Sequence, residues 1–338
     1  MTEPKLSLII VALHGWSDLV LALPGLQAAT IAKDIELIIA GKEGAFPDDI
    51  GDRIDGLHSV KFVPTTEFVP RGAAVANAIE HATAPFIGTH ENHAYAEPET
   101  YEMILDAMGE KTGCIAPVYY CLNNHADWAA ATSVITHGHA AAPADDVSRP
   151  LLVLHSAIYP ADVLRPRAAL FRNEVKLHET LFNEGYEVHF LPGTVNWHVE
   201  AGLPSMAYAI AHLLGRMYGW NRSRDYGLPE RLLRALAFPA IAAISAKRYV
   251  QQLRRMDDLQ HKKNRIIPHV ASMGVAFAVG EVHGYFTKKN PWPDWADLHE
   301  YELLERLVGP PTEREPLLNA VKHYHDPFPE PIKATAAE

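Results

Sequence analysis

The segment Ala84 to Leu105, APFIGTHENHAYAEPETYEMIL, gathers the residue types of a metal or phosphate site. The short apolar run Pro85 to Gly88 reads as a buried strand that stops abruptly at polar residues. Glu97-Pro98-Glu99 then opens a helix, because proline is tolerated in a first turn and acids there favour the helix dipole. In open α/β sheets ligands bind outside the carboxyl ends of strands. Glu91 and His93 are alternate residues at such an end, so an extended backbone would point both side chains the same way. A carboxylate and an imidazole so placed can hold Mn²⁺ or Mg²⁺ and leave positions open for a diphosphate. The metal would neutralise charge developing on a leaving nucleotide. The same residues also read as an Asn-containing turn joining strand to helix, and local chemistry leaves both readings open. His137 and His139 form a His-x-His in what reads as a loop, and the chain has no HExxH.

The elements that would position these groups alternate short apolar runs with helical patterns over the first two hundred residues, the signature of an α/β layer fold. Leu6 to Leu13, Ile35 to Ala40 and Val60 to Pro64 read as buried strands, being short and rich in β-branched residues. Ser17-Asp18 offers an N-cap for a helix after the first, and Arg71 to Ala82 is an alanine-rich helix. Further strands are expected at Gly113 to Val118 and Leu151 to Tyr159, with the loop THGHAAAPADDVSRP between them.

The rhythm changes near Met206, which divides the chain into 1-205, a helical region 206-310 and an extended or disordered tail 311-338 rich in proline, glutamate and alanine. In the helical region the apolar pieces Leu232 to Ala246 and Ile266 to Gly280 flank 247-265, which carries a local excess of five positive charges. Apolar segments beside a basic stretch suit an anionic membrane surface; a helical subdomain with a solvated basic face would look the same. No apolar run reaches bilayer-spanning length, and the N-terminus runs into the first strand without the pattern of a signal peptide. A net charge of -11 over 338 residues argues against broad nucleic-acid binding. Cys114 and Cys121 are too few for a disulfide framework and suit a reducing cytoplasm.

Taken as an ordered series, these blocks resemble glycosyltransferase family 2, whose catalytic domain has the GT-A fold, a mixed sheet flanked by helices. In that family a strand runs into an acidic DxD-type motif and a proline-opened helix, preceded by a helix with an "xxN" element. Here Arg71 to Asn77 precedes ATAPFIGTHENHAYAEPE, and Glu91-Asn92-His93 is similar to a bacterial Glu-Asp-His variant with asparagine in the middle. A second block, KLHETLFNEGYEVHFLPGTVNWH from Lys176 to His198, implies Glu179 as the base that deprotonates the acceptor, Gly185 as the helix stop and His198 as a metal or phosphate ligand. A base on the face opposite the leaving phosphate is what single displacement requires. The usual base-reading aspartate after the second strand is replaced by Ala40-Gly41-Lys42-Glu43, and Ala12-Leu13-His14-Gly15 stands after the first strand. The resemblance thus implies His14, Glu43, Asn77, Glu91 and Arg216 around a UDP- or GDP-sugar, and Glu91, His93 and His198 around Mn²⁺ or Mg²⁺. It further implies an inverting transfer to a glycan or lipid-linked acceptor in polysaccharide or glycolipid synthesis, in the cytoplasm at the inner membrane face. Gly280-Glu281-Val282-His283-Gly284-Tyr285 resembles the "GE..GY" ending of bacterial members with a membrane-associated tail.

Other enzyme classes lack their marks: there is no GxGxxG after the first strand, no GxxxxGK[ST], and no glycine- and lysine-rich nucleotidyltransferase turn. The alternative is a GT-A domain without catalysis, acting as a binding or scaffold protein, for which the replaced aspartates speak.

Overall fold

The computed structural model describes residues 3–12, 15–19, 21–47, 49–65, 71–140 and 156–288. His14 and the segment 151–155 of the expected strand lie outside the described residues, as does the tail 311-338. Among the described residues the strands are β1 (Leu6–Val11), β2 (Ile35–Lys42), β3 (Ser59–Thr65), β4 (Phe86–His90), β5 (Ala94–Ala96), β6 (Thr112–Cys121), β7 (Ile158–Pro160) and β8 (Glu187–His198). The helices are α1 (Ala22–Ala28), α2 (Ile50–Arg53), α3 (Arg71–Ile79), α4 (Thr100–Asp106), α5 (Asp127–Thr136), α6 (Ala161–Leu164) and α7 (Glu174–Asn183). They continue with α8 (Pro204–Arg222), α9 (Leu228–Leu236), α10 (Phe238–Leu253) and α11 (Lys263–Phe286). The expected class holds: an eight-stranded mixed sheet flanked by helices is followed by a helical C-terminal region.

The sheet order is β3-β2-β1-β4-β7-β6-β8-β5. β3, β2, β1 and β4 are mutually parallel, and β7 runs antiparallel to β4 and β6. All six residues of β1 are buried, as expected of a parallel strand covered on both faces. The register pairs Ile10 with Ile39 on one side and with His90 on the other.

Among the described residues two compact units emerge, one drawn from 3–118 and 156–197, the other from 119–140 and 198–288. The core of the first joins Leu8, Ile10, Leu26, Ile35, Leu37, Ile39, Ile104, Ile115 and Ile158. Glu36 is buried in β2 between Ser7 of β1 and Lys61 of β3, where Thr83 also donates to it. The core of the second joins α5, α8, α10 and α11 through Val134, Ala211, Tyr249, Leu253, Val270, Met273 and Phe277.

Several local expectations change. The helix does not begin at Ser17-Asp18: residues 15–18 form a 3₁₀ turn, and α1 starts at Ala22 with Leu21 before it and no side-chain cap. The described part of the strand expected at Leu151 to Tyr159 is only Ile158–Pro160. Leu232 to Ala246 is not one piece; Ala237 ends α9 and begins α10, and Pro239 occupies the first turn of α10, where its missing N–H costs nothing. Residues 257–286 are, by length and composition, apolar enough to cross a membrane, contrary to the sequence expectation. Ile266, Val270, Met273 and Phe277 nevertheless pack in the second unit's core, which accounts for that apolarity.

Candidate active site

β1 is flanked by β2 on one side and β4 on the other, so the chain reverses its direction of sheet growth beside β1. In open α/β sheets such a reversal marks the edge where ligands bind, here the carboxyl ends of β1, β2 and β4. Glu43 follows β2 and Glu91 follows β4, so both expected donor-side carboxylates stand at that edge. Glu43 is exposed in the turn after β2.

The backbone does not stay extended through Glu91-Asn92-His93. Ala94 N donates to Glu91 O at 3.1 Å, closing a turn between β4 and β5 with Asn92 and His93 at its centre. The expectation of two side chains aligned by strand alternation fails, yet the turn achieves the same end. A Glu91 carboxylate oxygen and a His93 ring nitrogen lie within 4.8 Å, and both side chains are buried. His93 Nδ1 is 2.7 Å from Asn92 Oδ1. Since a carbonyl oxygen only accepts, Nδ1 carries the proton and Nε2 the lone pair that a metal takes. The middle asparagine therefore directs the Nε2 lone pair of its neighbour away from Asn92, and a carboxylate with an imidazole nitrogen is a donor set that can hold a divalent ion such as Mn²⁺. Behind it, His90 is held by Tyr101 OH at 2.8 Å and Ala94 O at 3.1 Å. Trp197 of β8 donates to Glu97 at 3.1 Å, fixing the chain that enters α4.

Glu179 is half-buried on α7, paired with Lys176 at 3.0 Å. The helix starts earlier than its sequence block: Asn173 caps it, accepting from Lys176 N at 3.1 Å, and Glu174 is its first residue. Glu174 is buried and lies 3.4 Å from Arg71 of α3. Sequence reasoning missed Glu174; the signal was an asparagine followed by an acid at a helix start. His178 is fully buried and bonds Tyr159 OH at 2.8 Å. Gly185 ends the segment as expected, at φ +89°, a conformation open to glycine and costly for other residues. Asn77 is exposed on α3.

In the second unit His198 belongs to a buried cluster that the sequence did not announce. Glu200 Oε1 lies 2.6 Å from His137 Nδ1, 3.1 Å from Thr136 Oγ1 and 3.3 Å from His198 Nδ1. Tyr119 stacks on His137 at 4.5 Å, and Asn123 holds the Glu200 backbone through both its N–H and its carbonyl. Burial alone would raise the Glu200 carboxyl; the charges and hydrogen bonds of His137 and His198 outweigh it and hold the group well below the usual carboxylate range. A carboxylate on one nitrogen of a histidine fixes the ring for a ligand on the other. His137 was legible only as half of a His-x-His, and Glu200 gave no signal. Arg216 is half-buried on α8 and donates to Thr287 at 3.3 Å.

No family model matches the chain, and no curated protein does. Among solved structures, S. aureus TarS residues 1–349 in complex with UDP is 13% identical, over 82% of this chain and 90% of that one, with a TM-score of 0.46. The mannosyltransferase PcManGT from Pyrobaculum calidifontis, in complex with GDP-Man and Mn²⁺, is 13% identical over 97% of this chain and 89% of that one, with a TM-score of 0.45.

Proposed function

We propose that the chain is a glycosyltransferase of family 2 type with a GT-A fold. It transfers a sugar from a UDP- or GDP-sugar to a hydroxyl of a glycan or lipid-linked acceptor of the cell envelope, at the cytoplasmic face of the membrane. The observation that carries this reading is the buried Glu91-Asn92-His93 turn at the carboxyl end of β4, beside the reversal of strand order. The series of sequence blocks described above supplies the reaction class.

The transfer is an inverting single displacement. The acceptor oxygen forms a bond to the anomeric carbon, the bond from that carbon to the donor phosphate breaks, and the electron pair leaves with the nucleoside diphosphate. Glu179 takes the acceptor proton. Glu91 and His93, joined in this proposal by His198, hold the divalent cation, which when bound offsets charge on the departing diphosphate. Glu200 and His137 keep the His198 ring in one orientation. His14, Glu43, Asn77 and Arg216 contact the donor. A second assignment of the base is favoured by one observation: Glu174, not Glu179, opens α7 and is buried.

The test is transfer and donor hydrolysis across a panel of nucleotide sugars, with Mn²⁺ or Mg²⁺. Glu179→Gln is expected to lower kcat by about a hundredfold or more while leaving donor affinity intact. Glu91→Gln and His93→Ala are expected to weaken nucleotide binding only when the cation is present, read by calorimetry. If Glu179→Gln equals the wild type and Glu174→Gln is inactive, the base is Glu174. Nucleotide binding with no transfer from any donor would favour the non-catalytic binding protein.

A further inference from the structure

Helix α9 is amphipathic in the inverted sense. Leu228, Leu232, Leu233 and Leu236 fall on one side by helical spacing, and Glu230, Arg231 and Arg234 on the other. A surface helix ordinarily turns its leucines to the core, yet here they are 63%, 49%, 68% and 81% exposed. The polar side is the one tied to the fold. Arg231 donates to the carbonyls of Ser223, Tyr226 and Tyr285 at 2.8 to 2.9 Å, and Arg234 bonds Glu230 and lies over the Tyr226 ring at 4.3 Å. The leucines are therefore held outward by a fixed helix. Beyond Ala237, α10 continues the pattern: Ala240, Ala243, Ile244 and Lys247 share one face and all are exposed. The segment 235–246 carries no charge, and 247–255 carries Lys247, Arg248, Arg254 and Arg255 with no acid.

We infer that the exposed apolar side of α9 and α10 rests in the headgroup layer of an anionic bilayer, with Lys247 and Arg248 at the lipid phosphates. Exposed apolar helix sides followed in the chain by basic residues are the composition of interfacial helices. Not all of the basic stretch takes part: Lys262 and Arg265 are engaged by Asp127. This inference deepens the membrane element of the proposed function by assigning it a surface. Its readout involves no sugar transfer, so either can fail without the other.

The experiment is flotation of the full chain with phosphatidylcholine vesicles, with and without about one-third phosphatidylglycerol, alongside its mass by light scattering. The wild type is expected to float with the anionic vesicles, less so at high salt, and to remain with the buffer beside neutral ones. Replacing Leu232, Leu233 and Leu236 by serine should lower the bound fraction at least about tenfold without changing circular dichroism. Lys247→Glu with Arg248→Glu lies wholly on the exposed surface and should do the same while abolishing the salt dependence. This second variant decides the matter if the first misfolds. Absence of wild-type binding overturns the inference. Binding unchanged in the charge-reversed variant overturns it, as does a dimeric mass that falls to monomer in the leucine variant.

Discussion

At the scale of single residues, the informative feature is how neighbouring side chains fix histidines. Asn92 sets the proton of His93, and Glu200 bridges His137 and His198. The Glu91 and His93 pair was legible because a carboxylate and an imidazole at a strand end are visible in one line of sequence. The tautomer was not, since it depends on a turn that brings Asn92 Oδ1 to Nδ1. Glu200 was invisible because His137, the nearer of its two histidine partners in space, lies 63 residues away in sequence. Removing the carboxylate leaves two imidazoles in a buried pocket with no counter-charge. Glu200→Ala is therefore expected to cost about 3 kcal/mol in equilibrium urea unfolding. A loss below about 1 kcal/mol would show that the histidines find other partners.

At the scale of elements, the GE..GY block acquires a packing reason. Gly280 and Gly284 of α11 face Gly215 and Gly219 of α8, four residues apart on each helix. A Cβ on Gly280 would stand 1.9 Å from His212 O, and one on Gly215 1.9 Å from Phe277 O. Backbones this close admit no side chain between them. Within the same block Glu281 is buried, accepting from Tyr285 at 2.5 Å and lying 3.5 Å from Arg222. Gly280→Ala is expected to destabilise by about 3 kcal/mol or more, measured by thermal or urea unfolding. Gly202→Ala, where a Cβ meets open space, serves as the control and should change little. An equal effect at both positions would refute the close crossing. The long helices were legible from their periodicity, but the break at Ala237 and the short α1 were not. Pro239 permits either a kink or a new helix, and the choice falls to what the following turn packs against.

At the scale of the whole molecule, each unit carries a carboxyl shielded from water, Glu36 buried and Asp258 partly so, and the two respond to acid with opposite sign. In the first, burial raises the Glu36 carboxyl, but Lys61, Ser7 and Thr83 together hold it below its ordinary value of 4.5. Its stabilisation is present above that value and is lost as pH falls through the depressed one. In the second, burial pushes the Asp258 carboxyl up to about 6 against an ordinary 3.8, with the Cys121 N–H only partly offsetting it. That protonated form favours folding below 3.8, and the advantage disappears as pH rises through about 6. Asp258→Asn should therefore stabilise the second unit at pH 8 by up to about 3 kcal/mol and leave it unchanged near pH 3. Hydrogen exchange read separately over each core checks this. A gain at pH 3 equal to that at pH 8 would remove the assignment.

The sequence by itself determined the class of fold, because parallel strands covered on both faces are near-continuous apolar runs, as residues 8–11 and 37–40 are. It also determined where polar residues interrupt those strands, and so where Glu43 and Glu91 stand. Tertiary structure decided what spacing cannot express. It closed Glu91-Asn92-His93 into a turn, began α7 at Glu174, brought His137 to His198 and to Glu200, the latter 63 residues away, and turned the leucines of α9 outward. Each of these depends on which surface an element packs against. Local periodicity shows that an element has an apolar side; only the packed chain settles whether that side is covered.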